Sequence, residues 1–474
     1  AGLLPLMAVA CVAPMARADT GSNLEIIARG TDPVFGGNDE TQARLENAFL
    51  NNAGDVAFEL NLVDLSGGSD FDADAIYRYT SGLLVEELRA GAFGTGGDTL
   101  EDVRLQGLSD NGSALSRADV FPTGSTDPIQ ALFLSGGGTV TELFREGDPN
   151  PAGGTFGAPL AALINAQGET AFQTSPPSTF LPDAVIRTDA GGVEPLASIG
   201  DGVPGKTGVT FEFFTGFVPI SNAGHVGFTA NLTGTGITDH LNDQGFYVVD
   251  PAGNIAEYSR VGAPAPNKPG STIAAIGTRV PVNSNGDAVL SLFYRNVLGD
   301  FATGGLFLAN GSSLTPILLG GQSAPGIDGQ FLDFTGVPTL NDAGTVAVQA
   351  FLTDDTSAGN RIGSALFTGD ENGLTPILRT GDPLPEGQAG VFSAFGNGDD
   401  GEVALNEEGQ IVFLAAIDLQ DGGTEFDTFG LFFYDPEAGL GTIAVQGQDF
   451  DGDTLAAIRF RDNAGALNDA ASGL

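Results

Sequence analysis

The chain has no tryptophan, one cysteine, two histidines and two lysines among its 474 residues. Each shortage excludes something. Without tryptophan the usual platform for stacking sugars is missing, which weighs against carbohydrate chemistry, although tyrosine and phenylalanine can take its place. A single cysteine, Cys11, allows no disulfide framework, so stability must come from pairing and packing. His225 and His240 are too few for an ordinary zinc site, and neither HExxH nor GxSxG occurs. Basic residues are scarce: 18 Lys plus Arg stand against 60 Asp plus Glu, a formal net charge of −42. Such a chain has no basic patch from which counterion release could drive nucleic-acid binding, and it is repelled by anionic lipid. Solubility is the plain reading of that charge, with salt adaptation or attraction of divalent cations as the others. No stretch sustains a 3.6-residue period, so no long helix is expected.

What the chain has in excess is glycine, 71 residues, and a repeat that places it. An Asn or its stand-in, two residues, a Gly, two residues and then two small or apolar residues recur along the whole length. The copies include NNAGDVAF from Asn51, NAQGETAF from Asn165, SNAGHVGF from Ser221, NSNGDAVL from Asn283, NDAGTVAV from Asn341 and NEEGQIVF from Asn406. SDNGSAL at Ser109 is degenerate, and LNDAASGL, with Asn468, meets the chain end. The spacings are 58, 56, 56, 62, 58, 65 and 62 residues. Self-similarity at that period points to an array of supersecondary units.

Each unit offers four short strands. A period-2 segment follows the Asn turn: in DVAFEL, Val56, Phe58 and Leu60 share one face. A second strand follows, as in GLFLANGSS from Gly305, and a third ends in Gly-Asp-Pro or its relic, as at Gly381, Asp382 and Pro383. Proline ends a strand because it cannot donate to a ladder. A Phe-rich fourth strand feeds the next Asn turn. Asn first and Gly fourth suit a type I turn. Four antiparallel strands per sixty residues predict an all-β β-propeller of seven to eight four-stranded blades. Eight is favoured, because SNLEIIARGTDP from Ser22 and TLAAIRF from Thr454 read as complementary pieces of one further blade, left incomplete at the chain end. A solenoid is the competing architecture.

The Asn-x-x-Gly-x-x-Ala-Phe copies resemble the bacterial secreted proteins called choice-of-anchor tandem repeat NxxGxxAF-containing proteins, over about residues 22–474. That resemblance implies export and surface anchoring; it implies no catalytic residues. Residues 1–18 read independently as the remnant of a signal peptide. An apolar run, Leu3 to Val12, ends in the small-x-small site Ala16-Arg17-Ala18. The remainder, 19–474, is expected as one repeat domain, secreted or at the cell surface, with no integral membrane span in the mature chain and as a monomer.

Reactive constellations are few. The literal GxGxxG at Gly396, Gly398 and Gly401 encloses Asp399 and Asp400, and two carboxylates are wrong for phosphate. Alternating aspartates are the best chemical lead. Asp70, Asp72 and Asp74 in DFDAD, and Asp449, Asp451 and Asp453 in DFDGD, could converge on calcium from a loop. Both depart from the EF-hand pattern at its sixth and twelfth positions. With no recurrent reactive group, the expected function is a non-enzymatic exported scaffold that binds an extracellular ligand or matrix component, not nucleic acid, through its loops. The alternative is an extracellular propeller hydrolase or lyase using carboxylates.

Overall fold

The computed structural model describes residues 10–12, 24–26 and 40–454, without the short segments 65–70, 94–96, 152–153, 177–180, 190–191, 297–300, 355–359, 396–402, 420–427 and 451–452. Among the described residues every regular element is a strand, apart from one 3-10 turn at Pro385–Gly387, and no helix is long and apolar enough to cross a membrane. Seven sheets follow one another along the chain, each a meander of four antiparallel strands taken in chain order. They are blade units of the kind a propeller is built from. Blade 1 runs from Glu40 to Arg89, blade 2 from Asp98 to Arg145, blade 3 from Ala158 to Ser198 and blade 4 from Val209 to Arg260. Blade 5 runs from Thr272 to Leu319, blade 6 from Gln330 to Arg379 and blade 7 from Val391 to Val445. Blade 2 gains a short edge strand, Gly91–Phe93. The chain divides into two compact units: Ala1–Ala197 carries blades 1 to 3, and Ser198–Gln446 carries blades 4 to 7.

Among the described residues there are seven blades, not the favoured eight of the expected seven to eight. Of the terminal segments expected to share an eighth blade, Leu24–Ile26 pairs with Ala10–Val12, inside the supposed signal remnant. Asp449–Phe450 pairs with Asp453–Thr454. The rest of both segments lies outside the described residues, as does most of 1–18. The blade boundary also moves. The Phe-rich strand before each Asn turn is the first strand of its sheet and pairs with the strand after the turn, as Gln330–Leu340 does with Val346–Thr353. Sheets therefore break at the Gly-Asp-Pro loops, and each Asn turn is an internal hairpin.

Those turns form as their residues dictate. In the first of them the Asn51 Oδ1 accepts from the amides of Ala53 (3.0 Å) and Asp55 (2.8 Å), and the Gly54 amide closes onto the Asn51 carbonyl at 3.1 Å. Gly54 sits at φ +80°, a left-handed conformation that side-chain-bearing residues rarely adopt. The asparagine also has a second task. Its Nδ2 donates to the backbone carbonyl of the equivalent residue in the next blade: Asn51 to Ser109 at 2.9 Å, Asn283 to Asn341 at 3.1 Å, Asn341 to Asn406 at 3.1 Å. The following amide donates to the next turn's acid: Asn52 to Asp110 at 2.9 Å, Ser284 to Asp342 at 2.6 Å, Asp342 to Glu407 at 3.0 Å. An amide side chain can accept for its own turn through its oxygen while its nitrogen donates to the neighbour.

The core lies between consecutive sheets. One cluster joins Phe246 and Val248 of blade 4 to Leu290 and Leu292 of blade 5, and another joins Leu366 of blade 6 to Phe413 of blade 7. The strand after the Asn turn is covered on both faces, and Ile411–Asp418 is buried along all but its last residue. The Phe of the Ala-Phe pair stacks on the aromatic directly across the ladder. Phe58 meets Tyr77, Phe228 meets Tyr247 and Phe413 meets Phe432, with centroids 6.1, 5.4 and 5.7 Å apart. The small partner leaves room for the next sheet: a Cβ on Gly227 would lie 2.8 Å from Val282 of blade 5.

Candidate functional site

The expected calcium ligands are only partly among the described residues. Asp72 and Asp74 lie within the strand Phe71–Thr80 of blade 1. Asp70 and Asp451 lie outside the described residues, and so does the GxGxxG segment. Asp449 is an exposed residue of the strand Asp449–Phe450, and Asp453 is in the strand Asp453–Thr454. Among the described residues no three His, Cys, Asp or Glu side chains are grouped closely enough to hold a metal. His225 lies at its turn against Gly286 of the next blade, where burial depresses its pKa against the pull of Asp250, Asp287 and Asp342.

A different group of charges converges in blade 2. Its first hairpin pairs Asp98–Leu108 with Ala114–Phe121, and the register slips between Glu101 and Arg104. Glu101 opposes Asp119 and Arg104 opposes Arg117, so Asp102 and Val103 together face one residue of the partner strand. That is a bulge, a device that re-aims side chains. Val103 turns inward and is buried, while Asp102 is exposed at φ +47°, a strained setting for a residue with a side chain.

The charges divide into a closed set and an open one. Glu59 of blade 1, wholly buried, accepts from Arg104 Nη1 at 2.8 Å, from the Leu105 amide at 3.0 Å and from Asn47 Nδ2 at 2.9 Å. Arg104 turns its Nε (2.8 Å) and its Nη2 (2.7 Å) onto Asp102 Oδ1. Burial works against the Arg104 charge, but Glu59 and Asp102 more than offset it and strengthen its hold on its proton. Asp119 and Arg117 form the open set. Burial first, and the Asp102 carboxylate second, push the Asp119 pKa up; a hydrogen bond from Gln130 and the charge of Arg117 oppose them. Asp119 and Arg117 are each half-buried.

This arrangement splits two carboxyl groups by environment. Asp102 is gripped by two Arg104 nitrogens, while Asp119 holds a proton more readily than an ordinary aspartate. None of the four residues was singled out by sequence. A usable signal existed: Arg104 and Arg117 flank the degenerate turn at Ser109 almost symmetrically, and a hairpin must bring them across from each other.

Three solved structures give the chain's likeness to known proteins. An oligogalacturonate lyase in complex with manganese is 10% identical, covering 77% of this chain and 86% of that one, at a TM-score of 0.37. An ulvan lyase of polysaccharide lyase family PL25 is 11% identical, covering 80% and 94%, at 0.33. The α-L-arabinanase of Penicillium chrysogenum is 14% identical, covering 69% and 94%, at 0.27. These neighbours bear the names of enzymes, which speaks against the expectation of a non-enzymatic scaffold and turns attention to its hydrolase-or-lyase alternative. That expectation sought a reactive group recurring in every repeat, whereas the charges of blade 2 occur once. At such identities the likeness bears on fold alone, and the activity has to be argued from the site. No curated protein matches the chain. One family model matches it twice, over residues 14–291 and 282–474, and the chain therefore belongs to the Family of unknown function (DUF7453).

Proposed function

We propose that the chain is an exported glycan-cleaving enzyme, a hydrolase or a lyase, with its acid–base chemistry at Asp119. One observation carries the reading: a half-buried carboxyl whose proton affinity is raised, beside a second carboxylate that an arginine grips through two nitrogens. Cleaving a glycosidic bond requires a proton for the leaving oxygen, and a carboxyl that stays protonated above the ordinary range can deliver it. Asp102 is the charged partner. Arg104 is a positioning residue that fixes Asp102 and ties it to Glu59. Export is supported by the apolar run and small-x-small site at the start of the chain.

The test is product release from a panel of arabinan, oligogalacturonate and ulvan, read as new reducing ends and as unsaturated sugar. The wild type should cleave at least one polymer. Asp119→Asn should lower turnover about 10²–10⁴-fold, the usual weight of a positioned acid. As an acid, Asp119 should lose activity as pH rises through its raised pKa. A wild type inert on the whole panel, or an Asp119→Asn variant as fast as wild type, would overturn the proposal.

A further inference from the structure

Arg117 occupies a position that recurs in every blade. Counted from the first residue of the turn, it is the equivalent of Glu59 in blade 1, Gln173 in blade 3, Thr229 in blade 4, Ser291 in blade 5, Gln349 in blade 6 and Leu414 in blade 7. All of those equivalents are buried, and Glu59 meets three partners. Arg117 has none: among the arginines whose side chains are described, it alone has no hydrogen bond, ion pair or ring contact. In a chain with 60 acids and 18 bases an arginine with no carboxylate at ion-pair distance is unusual. The residue directly across the ladder is Arg104, whose charge Glu59 and Asp102 already neutralise. In blade 3 the matching cross-strand pair is Leu160 with Gln173, so nothing there supplies an acid either. Like charges directly opposite in a sheet are destabilising. A planar guanidinium with all five donors unused is the group best suited to grip an oxyanion in two places.

We propose that Arg117 is the receptor for an anionic group, a carboxylate or a sulfate, on the sugar ring that the enzyme binds next to Asp119. This rests on the glycan-cleaving reading, and it names the substrate class. The net charge of −42 opposes approach of a polyanion. That repulsion is screened beyond about 8 Å at physiological salt, whereas a contact with a half-buried guanidinium is screened much less.

The deciding experiment compares wild type, Arg117→Gln and Arg117→Lys on three matched polymers: a polyuronate, its carboxyl-reduced neutral counterpart, and a sulfated form of that neutral polymer. Thermal midpoints confirm folding. Arg117→Gln should raise KM for the anionic polymers at least tenfold more than for the neutral one, with Lys giving partial rescue. Whether the uronate or the sulfated arm responds identifies the anion. A wild type that prefers the neutral polymer, or a Gln variant that weakens all three equally, would overturn the assignment. If the wild type turns over nothing, the catalytic reading falls by itself. Calorimetric binding of a uronate oligomer then decides the inference: affinity lost in Arg117→Gln supports it, and affinity unchanged or absent in wild type sinks it.

Discussion

Glu59 and Arg117 stand at the same place in successive blades, eight residues after the start of the turn, yet one is closed and the other open. The Glu59 carboxylate is enclosed by an arginine, a backbone amide and an asparagine; the Arg117 guanidinium bonds to none, and only the charge of Asp119 acts on it. The pair teaches how to tell structural charge from chemical charge in a repeat protein. A charge whose partners arrive from the neighbouring sheet belongs to the junction. A charge left over after those partners are assigned is available to a ligand.

The largest expected effect tests the closed half. Glu59→Ala leaves Arg104 with Asp102 alone and the Leu105 amide without its acceptor, a loss of roughly 1–3 kcal/mol. Denaturant unfolding should show that loss, and a value under about 1 kcal/mol, the range of an exposed pair, would remove the distinction. Next comes the turn link. Asn341→Asp keeps the acceptor for its own turn but abolishes the donor to Asn406. A lost hydrogen bond of this kind is worth about 1 kcal/mol, more if the Asn406 carbonyl is left unsatisfied. Asn341→Ala should lose the turn bond as well and fall further; equal losses in the two variants would show that the donor is idle. Arg117→Met should change stability by no more than about 0.5 kcal/mol, as for a residue outside any network. A large destabilisation would make Arg117 structural and erase the contrast.

The smallest effect is the pH dependence of Asp119. Its pKa is raised in the folded state, so the folded protein binds more protons than the unfolded chain. Stability from this group therefore declines as pH rises from the unfolded value, about 3.9, through the raised one, and is level above it. Asp119→Asn should then gain stability over wild type at neutral pH, with the difference vanishing in acid. Melting curves across pH read that difference, and a gain that persists below the unfolded pKa would assign it to something other than the proton.

Much of the architecture was legible because it is local. The turn at Asn51 needs only its own five residues, and the alternation through Phe58 is visible in the string itself. The blade phase was not legible, since nothing in TFEFFTG says whether it pairs forward or back. Nor was the true reason for asparagine at the turn, which lies 58 residues away in the Ser109 carbonyl. The site was hidden for a related cause. Asp102, Arg104, Arg117 and Asp119 are non-repeating side chains gathered by register and by a bulge. That bulge has no glycine to announce it, because Asp102 itself takes the left-handed conformation.

The asparagine bridges carry a consequence for how such a chain can grow. Asn283 reaches its counterpart across 58 residues and Asn341 across 65, yet both bridges measure 3.1 Å. The additional length is absorbed elsewhere in the module without disturbing the tether. Loops of new chemistry can thus be spliced between these fasteners one module at a time, which gives a repetitive frame a way to hold a single, unrepeated centre.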